Sequence, residues 1–189
     1  MAGDYFYLPH PVCLDKHVTA VSAKCNFPLR QLRRVRWRRS LDDESVVTSR
    51  IDYCNGLLAG APKVVTDKLQ RVMNSAARII NTWKFDHGLT HVRHDILHWL
   101  DVPERVTFKL CMAVYKCLHG MGPIYLSEMC RPSSSEAGRR HLRSANSVVI
   151  LVVPRYRLTT ADRRAFSCAG PSAWNSLPEY LTIDMLGFF

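Results

Sequence analysis

Three groups of residues have types and spacings suited to chemistry. His91, His94 and His98 recur at intervals of three and four, so a helix places them on one face. Within that run, His94-Asp95-Ile96-Leu97-His98 has the form of a zinc-protease helix with Asp in place of Glu. The shorter carboxylate displaces the general base, and no third ligand stands at a recognisable spacing. The alternative is that Ile96, Leu97, Trp99 and Leu100 pack while the histidines stay partly exposed. The paired Asp42 and Asp43 are the second group. They follow Ser40 in the pattern of a capping box, and acids suit a helix N-terminus, so capping accounts for them without a metal. The third group is basic. Residues 24–39 hold Lys24, Arg30, Arg33, Arg34, Arg36, Arg38 and Arg39 with no acid. Trp37 lies among them, and Leu29, Leu32 and Val35 keep an apolar seam. An arginine-rich helix with an embedded aromatic suits phosphate contact with base stacking. Arg139, Arg140 and Arg143, in a serine- and glycine-rich stretch, form a second candidate phosphate contact.

The whole chain agrees with the third group. Its 189 residues carry a net charge of +10, with an isoelectric point near 9.5. That balance favours a polyanionic partner, RNA or DNA, held without sequence preference. Seven cysteines, at 13, 25, 54, 111, 117, 130 and 168, include no C-x-x-C pair. An odd, scattered set reads as reduced thiols in the nucleus or cytoplasm. No signal peptide is visible, and the longest aliphatic run, Val148 to Val153, is too short for a membrane span. The expectation is an intracellular protein with no membrane partner, no cofactor and no metal.

These residues need elements to position them. The clearest is a helix over 63–82, where Val65, Leu69, Val72, Met73, Ala76 and Ile80 share one face behind Pro62. Residues 15–27 predict a short helix with Val18, Val21 and Cys25 on one side, ended by Pro28. Asp101 and Glu104 predict a capped helix over 102–119. Val106, Leu110, Val114 and Leu118 recur at spacings of four, Phe108, Cys111, Tyr115 and Cys117 widen the apolar face, and Gly120 closes the helix. Ile124 to Met129 predicts a further short helix. Val148–Val153 is the best strand, with a second short one over Arg155–Leu158. A helix capped by Thr160 should stop at Gly170-Pro171, leaving Ala165, Phe166, Trp174 and Leu177 as a small satellite core. The fold class is mainly α, helical hairpins or a bundle with a small β-containing tail. The expected organisation is an irregular N-terminus (1–14), a helical thumb-like domain (15–130), a flexible basic linker (131–146) and a small α+β tail (147–189). The tail's apolar end, Met185 to Phe189, reads as truncated.

Five stretches then carry a resemblance: SRIDYCNGLL (49–58), DKLQRVMNSAARII (67–80), LHWLDVPERVTFKL (97–110), YKCLHGMGPIYLSEM (115–129) and VPRYRLTTADRRAFSCAGPSAWNSLP (153–178). In this order they resemble the C-terminal, thumb and post-palm region of a LINE-type (non-LTR) retrotransposon reverse transcriptase, an RNA-directed DNA polymerase. The kinds it resembles are the chicken-repeat and second LINE families. The resemblance covers roughly residues 15 to 183 and implies a helical segment that helps hold RNA template and nascent DNA. The palm's aromatic-x-Asp-Asp signature has no counterpart here, since Asp42-Asp43 follow Ser40-Leu41. No catalytic residue of the family is placed, so the resemblance implies a non-enzymatic fragment working beside a palm-containing reverse transcriptase. Two further classes stay open: a decayed remnant with no selected activity, and a histidine-based metal hydrolase.

Overall fold

The computed structural model describes residues 11–34, 41–80, 89–135, 150–155, 164–178 and 180–181. Nearly all of these lie in helices or the turns between them, as expected of a mainly α chain. The chain forms two compact units, 1–106 and 107–189.

In the first unit, α1 (Pro11–Arg34), α2 (Leu41–Asp52) and α3 (Lys63–Ile80) pack on one another. Helix α3 buries Val65, Leu69, Val72, Met73 and Ala76, the face its periodicity predicts, together with Ala77. Pro62 precedes its first turn, and its carbonyl accepts from the Val65 amide at 2.9 Å. Helix α1 turns Leu14, Val18, Cys25 and Leu29 into the core. It does not end at Pro28; it continues to Arg34. Proline has no amide to bond the carbonyl four residues back, that of Lys24. Arg50 of α2 supplies the donor instead, its guanidinium reaching the Lys24 oxygen at 2.7 Å.

The first unit also holds α4 (Leu89–His91), which runs into a π-helical turn over Val92–Ile96, and the first turn of α5 (Val102–Leu118). The predicted capping pair of α5 is half formed. Glu104 accepts from the Asp101 amide at 3.1 Å, but the Asp101 carboxylate turns to Arg93 and Gln70. Gln70 of α3 then caps α5, accepting from the Val102 amide at 3.0 Å.

The second unit is built on the rest of α5. Gly120, at φ +69°, closes that helix. The Gly120 amide bonds the Cys117 carbonyl at 3.3 Å and the Met121 amide bonds Lys116 at 2.8 Å, the paired bonds of a glycine-terminated helix. Cys111, Val114, Cys117, Cys130, Leu151 and Trp174 form one core, with Phe166 and Leu177 packed against it. So Trp174 and its neighbours are part of the α5 core, not a satellite. The cysteine thiols act as small apolar groups. Burial, with the Cys117 thiol adjacent, pushes Cys130 up to about 12. Phe108, expected on the apolar face, is 55% exposed, since it lies between the buried positions Val106 and Leu110.

Two further expectations are corrected. Helix α7 (Phe166–Asn175) passes through Gly170-Pro171. A Cβ on Gly170 would lie 3.0 Å from Phe166 and 3.1 Å from Val114, so this glycine permits close packing where it was read as a breaker. Pro171 is fully buried, and that burial offsets its lost hydrogen bond. The β content of the tail, over the described residues 150–155, is also smaller than the strand expected over Val148–Val153. Among the described residues it is a single antiparallel bridge, Leu151 to Pro132, near a short helix (α6, Ile124–Ser127). The other edge of Leu151 is occupied by a side chain: Asn175 donates to its carbonyl and accepts from its amide, both at 2.9 Å. A side-chain amide thus satisfies the groups a neighbouring strand would have paired. Val148 and Val149, Tyr156 to Leu158, and Thr160 lie outside the described residues.

Candidate nucleic-acid interface

Of the arginine run, Arg30 is placed with its side chain. It is exposed on α1, one position past the buried Leu29. Arg33 and Arg34 belong to the last turn of α1. Arg36, Trp37, Arg38 and Arg39 lie outside the described residues, as do Arg139, Arg140 and Arg143.

The first unit carries further cations that the sequence reading did not assign to a site. Lys63, Arg71 and Arg78 are exposed on α3. Lys68 donates to Asp15 at 2.6 Å and to the Thr19 hydroxyl at 3.4 Å, tying α3 to α1. Arg105 reaches Asp52 at 2.8 Å, tying the start of α5 to the end of α2. Between α1 and α3 runs a groove of about 350 Å³, lined by Thr19, Ser22, Asn26, Lys68, Arg71, Val72 and Ser75. A signal for it was present. Thr19, Ser22, Asn26, Arg30 and Arg33 recur at spacings of three and four, a polar stripe beside the buried face of α1.

The histidines do not share a helical face. The Leu97 amide bonds the Val92 carbonyl at 3.0 Å and the Trp99 amide bonds Arg93 at 2.7 Å. This widened closing turn buries Trp99 and leaves His98 outside the helix at φ +52°. His91 Nδ1 lies 2.5 Å from Asp95 Oδ2, and His94 Nε2 lies 3.3 Å from Asp101. Each of these two rings is thus drawn to its own acid. Among the described residues no group of three or more His, Cys, Asp or Glu side chains is placed to hold a metal. Asp101 is an electrostatic centre of this segment. Burial raises its pKa, but the hydrogen bond from Arg93 and the His94 ring beside it outweigh that and hold its carboxyl below the usual value. Arg93, its main partner, is itself buried.

No family model, no curated protein and no solved structure matches this chain. Among the described residues no helix is long and apolar enough to cross a membrane.

Proposed function

We propose that this chain is a non-catalytic nucleic-acid-binding module, a thumb-like piece of a LINE-type reverse transcriptase that grips RNA template or DNA and leaves polymerisation to a palm. The observation that carries the reading is the continuity of α1. The helix runs unbroken to Arg34 with a buried apolar face and Arg30 exposed, so the arginine run begins on a helix already anchored by packing. The +10 net charge and the five ordered stretches of resemblance support it. Binding would take place in the nucleus or cytoplasm, and a palm-bearing reverse transcriptase is the expected protein partner. The test is affinity for single-stranded RNA and DNA as salt is raised. Binding should fall steeply between about 50 and 200 mM salt, by roughly 300-fold or more if six or more single-strand phosphates are contacted. An affinity that stays flat across that range refutes the proposal.

A remnant with no selected activity is the second reading. It is favoured by the large apolar side chains left in solvent in the second unit: Ile124 at 78%, Tyr125 at 64% and Met121 at 59% exposed. Such a chain would bind RNA and DNA no better than an unrelated protein of equal charge.

A further inference from the structure

We infer that the groove between α1 and α3 is a track for a phosphodiester backbone; this rests on the nucleic-acid reading and gives it a site that the arginine run alone does not define. Six of the seven lining residues are polar and none is acidic, although Ser75 gives its hydroxyl hydrogen to the Arg71 carbonyl. Lys68 is held in place by Asp15 and Thr19. The acid neutralises part of its charge, but one ammonium hydrogen remains for a ligand. Arg71 is exposed and forms no ion pair among the described residues, so its forked guanidinium is free for a phosphate. Ser22 lines the groove on α1, but its Oγ is shielded from solvent and offers no contact to a ligand there.

The shape of the donor set separates a backbone from a single ion. On α1 the polar positions follow the stripe Thr19, Ser22, Asn26 and Arg30; on α3 they follow Lys68, Arg71, Ser75 and Arg78. Both series have spacings of three and four, so each is one helix face. Thr19 meets Lys68, while Ser22 and Asn26 share the groove with Arg71 and Ser75, so the two stripes advance in the same direction. Asn26 to Arg30 is one helical turn, about 6 Å along the axis. A strand lying in the groove therefore passes directly to Arg30. A lone anion has no use for donors extended in this way.

The test is fluorescence anisotropy of the full chain with a labelled single-stranded RNA, titrated at several salt concentrations. Arg71→Gln should weaken binding several-fold and reduce the slope of log affinity against log salt by about 0.7, the value for one single-strand phosphate contact. Lys109→Gln makes the same charge change at an exposed position of the second unit and should leave that slope unchanged. Arg71 is a surface residue, so an unaltered melting temperature confirms that Arg71→Gln is folded. In a second arm, inorganic phosphate alone is added to the wild type. A phosphate-induced rise in melting temperature that Arg71→Gln abolishes, with RNA binding unaffected by that substitution, overturns the backbone assignment in favour of an isolated anion site. Identical RNA binding by both variants overturns the groove and leaves the nucleic-acid reading standing. Failure of the wild type to bind RNA overturns both.

Discussion

At the scale of single residues, Asp101 joins several partners in the first unit. It accepts from Arg93 and Gln70, stands beside His94, and its backbone amide is held by Glu104. Arg93 is 6% exposed, so removing the carboxylate charge strands a buried cation. We expect Asp101→Asn to destabilise the fold by about 2–3 kcal/mol, since charged hydrogen bonds contribute this much and an orphaned buried charge is worse than none. The effect should depend on pH with a definite sign. The folded pKa is lowered from the ordinary value of 3.8. Its stabilisation is therefore complete above about pH 4 and is lost as pH falls through the folded value. Melting temperatures of wild type and Asp101→Asn should converge in acid below pH 4; a gap of constant size from pH 6 to pH 2 would refute this account. The capping pair Asp101/Glu104 was legible from its spacing. The pull of Arg93 and Gln70 on the aspartate was not, because both come from segments that only folding brings near.

At the scale of elements, the two internal prolines show how a local rule gives way to tertiary context. Pro28 should break α1 by its missing amide and its ring clash, about 3 kcal/mol in an isolated helix. The break is averted because Arg50, from the next helix, donates to the freed Lys24 carbonyl. This predicts a coupled pair. Arg50→Ala should cost about 1–2 kcal/mol by leaving that carbonyl without its donor. In a Pro28→Ala background the same substitution should cost less, because the introduced alanine provides the helical amide. A thermodynamic cycle from denaturant unfolding measures the coupling; strict additivity of the two substitutions would show that Arg50 does not stand in for the proline's amide. Gly170-Pro171 makes a parallel case in α7, where the close fit against Val114 and Phe166 favours a residue without a Cβ. From sequence, a packing glycine and a breaking glycine look alike.

At the scale of the whole molecule, the unusual feature is how much apolar surface stays wet. In the second unit Phe108, Met121, Ile124 and Tyr125 are each more than half exposed, and large exposed apolar groups favour association. We expect the isolated chain to self-associate with rising concentration. Ile124→Lys, at a position 78% exposed, should raise the monomer fraction while changing stability by no more than about 0.5 kcal/mol, the usual range for a surface substitution. Sedimentation velocity and thermal melts of both proteins decide the matter. A monomeric wild type, or a large drop in melting temperature for Ile124→Lys, would contradict it.

The amino-acid sequence by itself determined the helical class, the α3 face, the bounds of α5 and its glycine stop, and the burial of the α5 cysteines. Each follows from periodicity or from a capping residue, which act within a few turns of chain. Tertiary structure alone decided that α1 survives Pro28, that α7 runs through Gly170-Pro171, and that Asn175 pairs with the backbone of Leu151. It also took His98 out of the histidine face and opened the α1–α3 groove. In every one of these the partner is distant in sequence or the spacing is broken by a turn that burial of a neighbour, such as Trp99, imposes. Local pattern encodes which face is apolar; it does not encode what will be brought against that face.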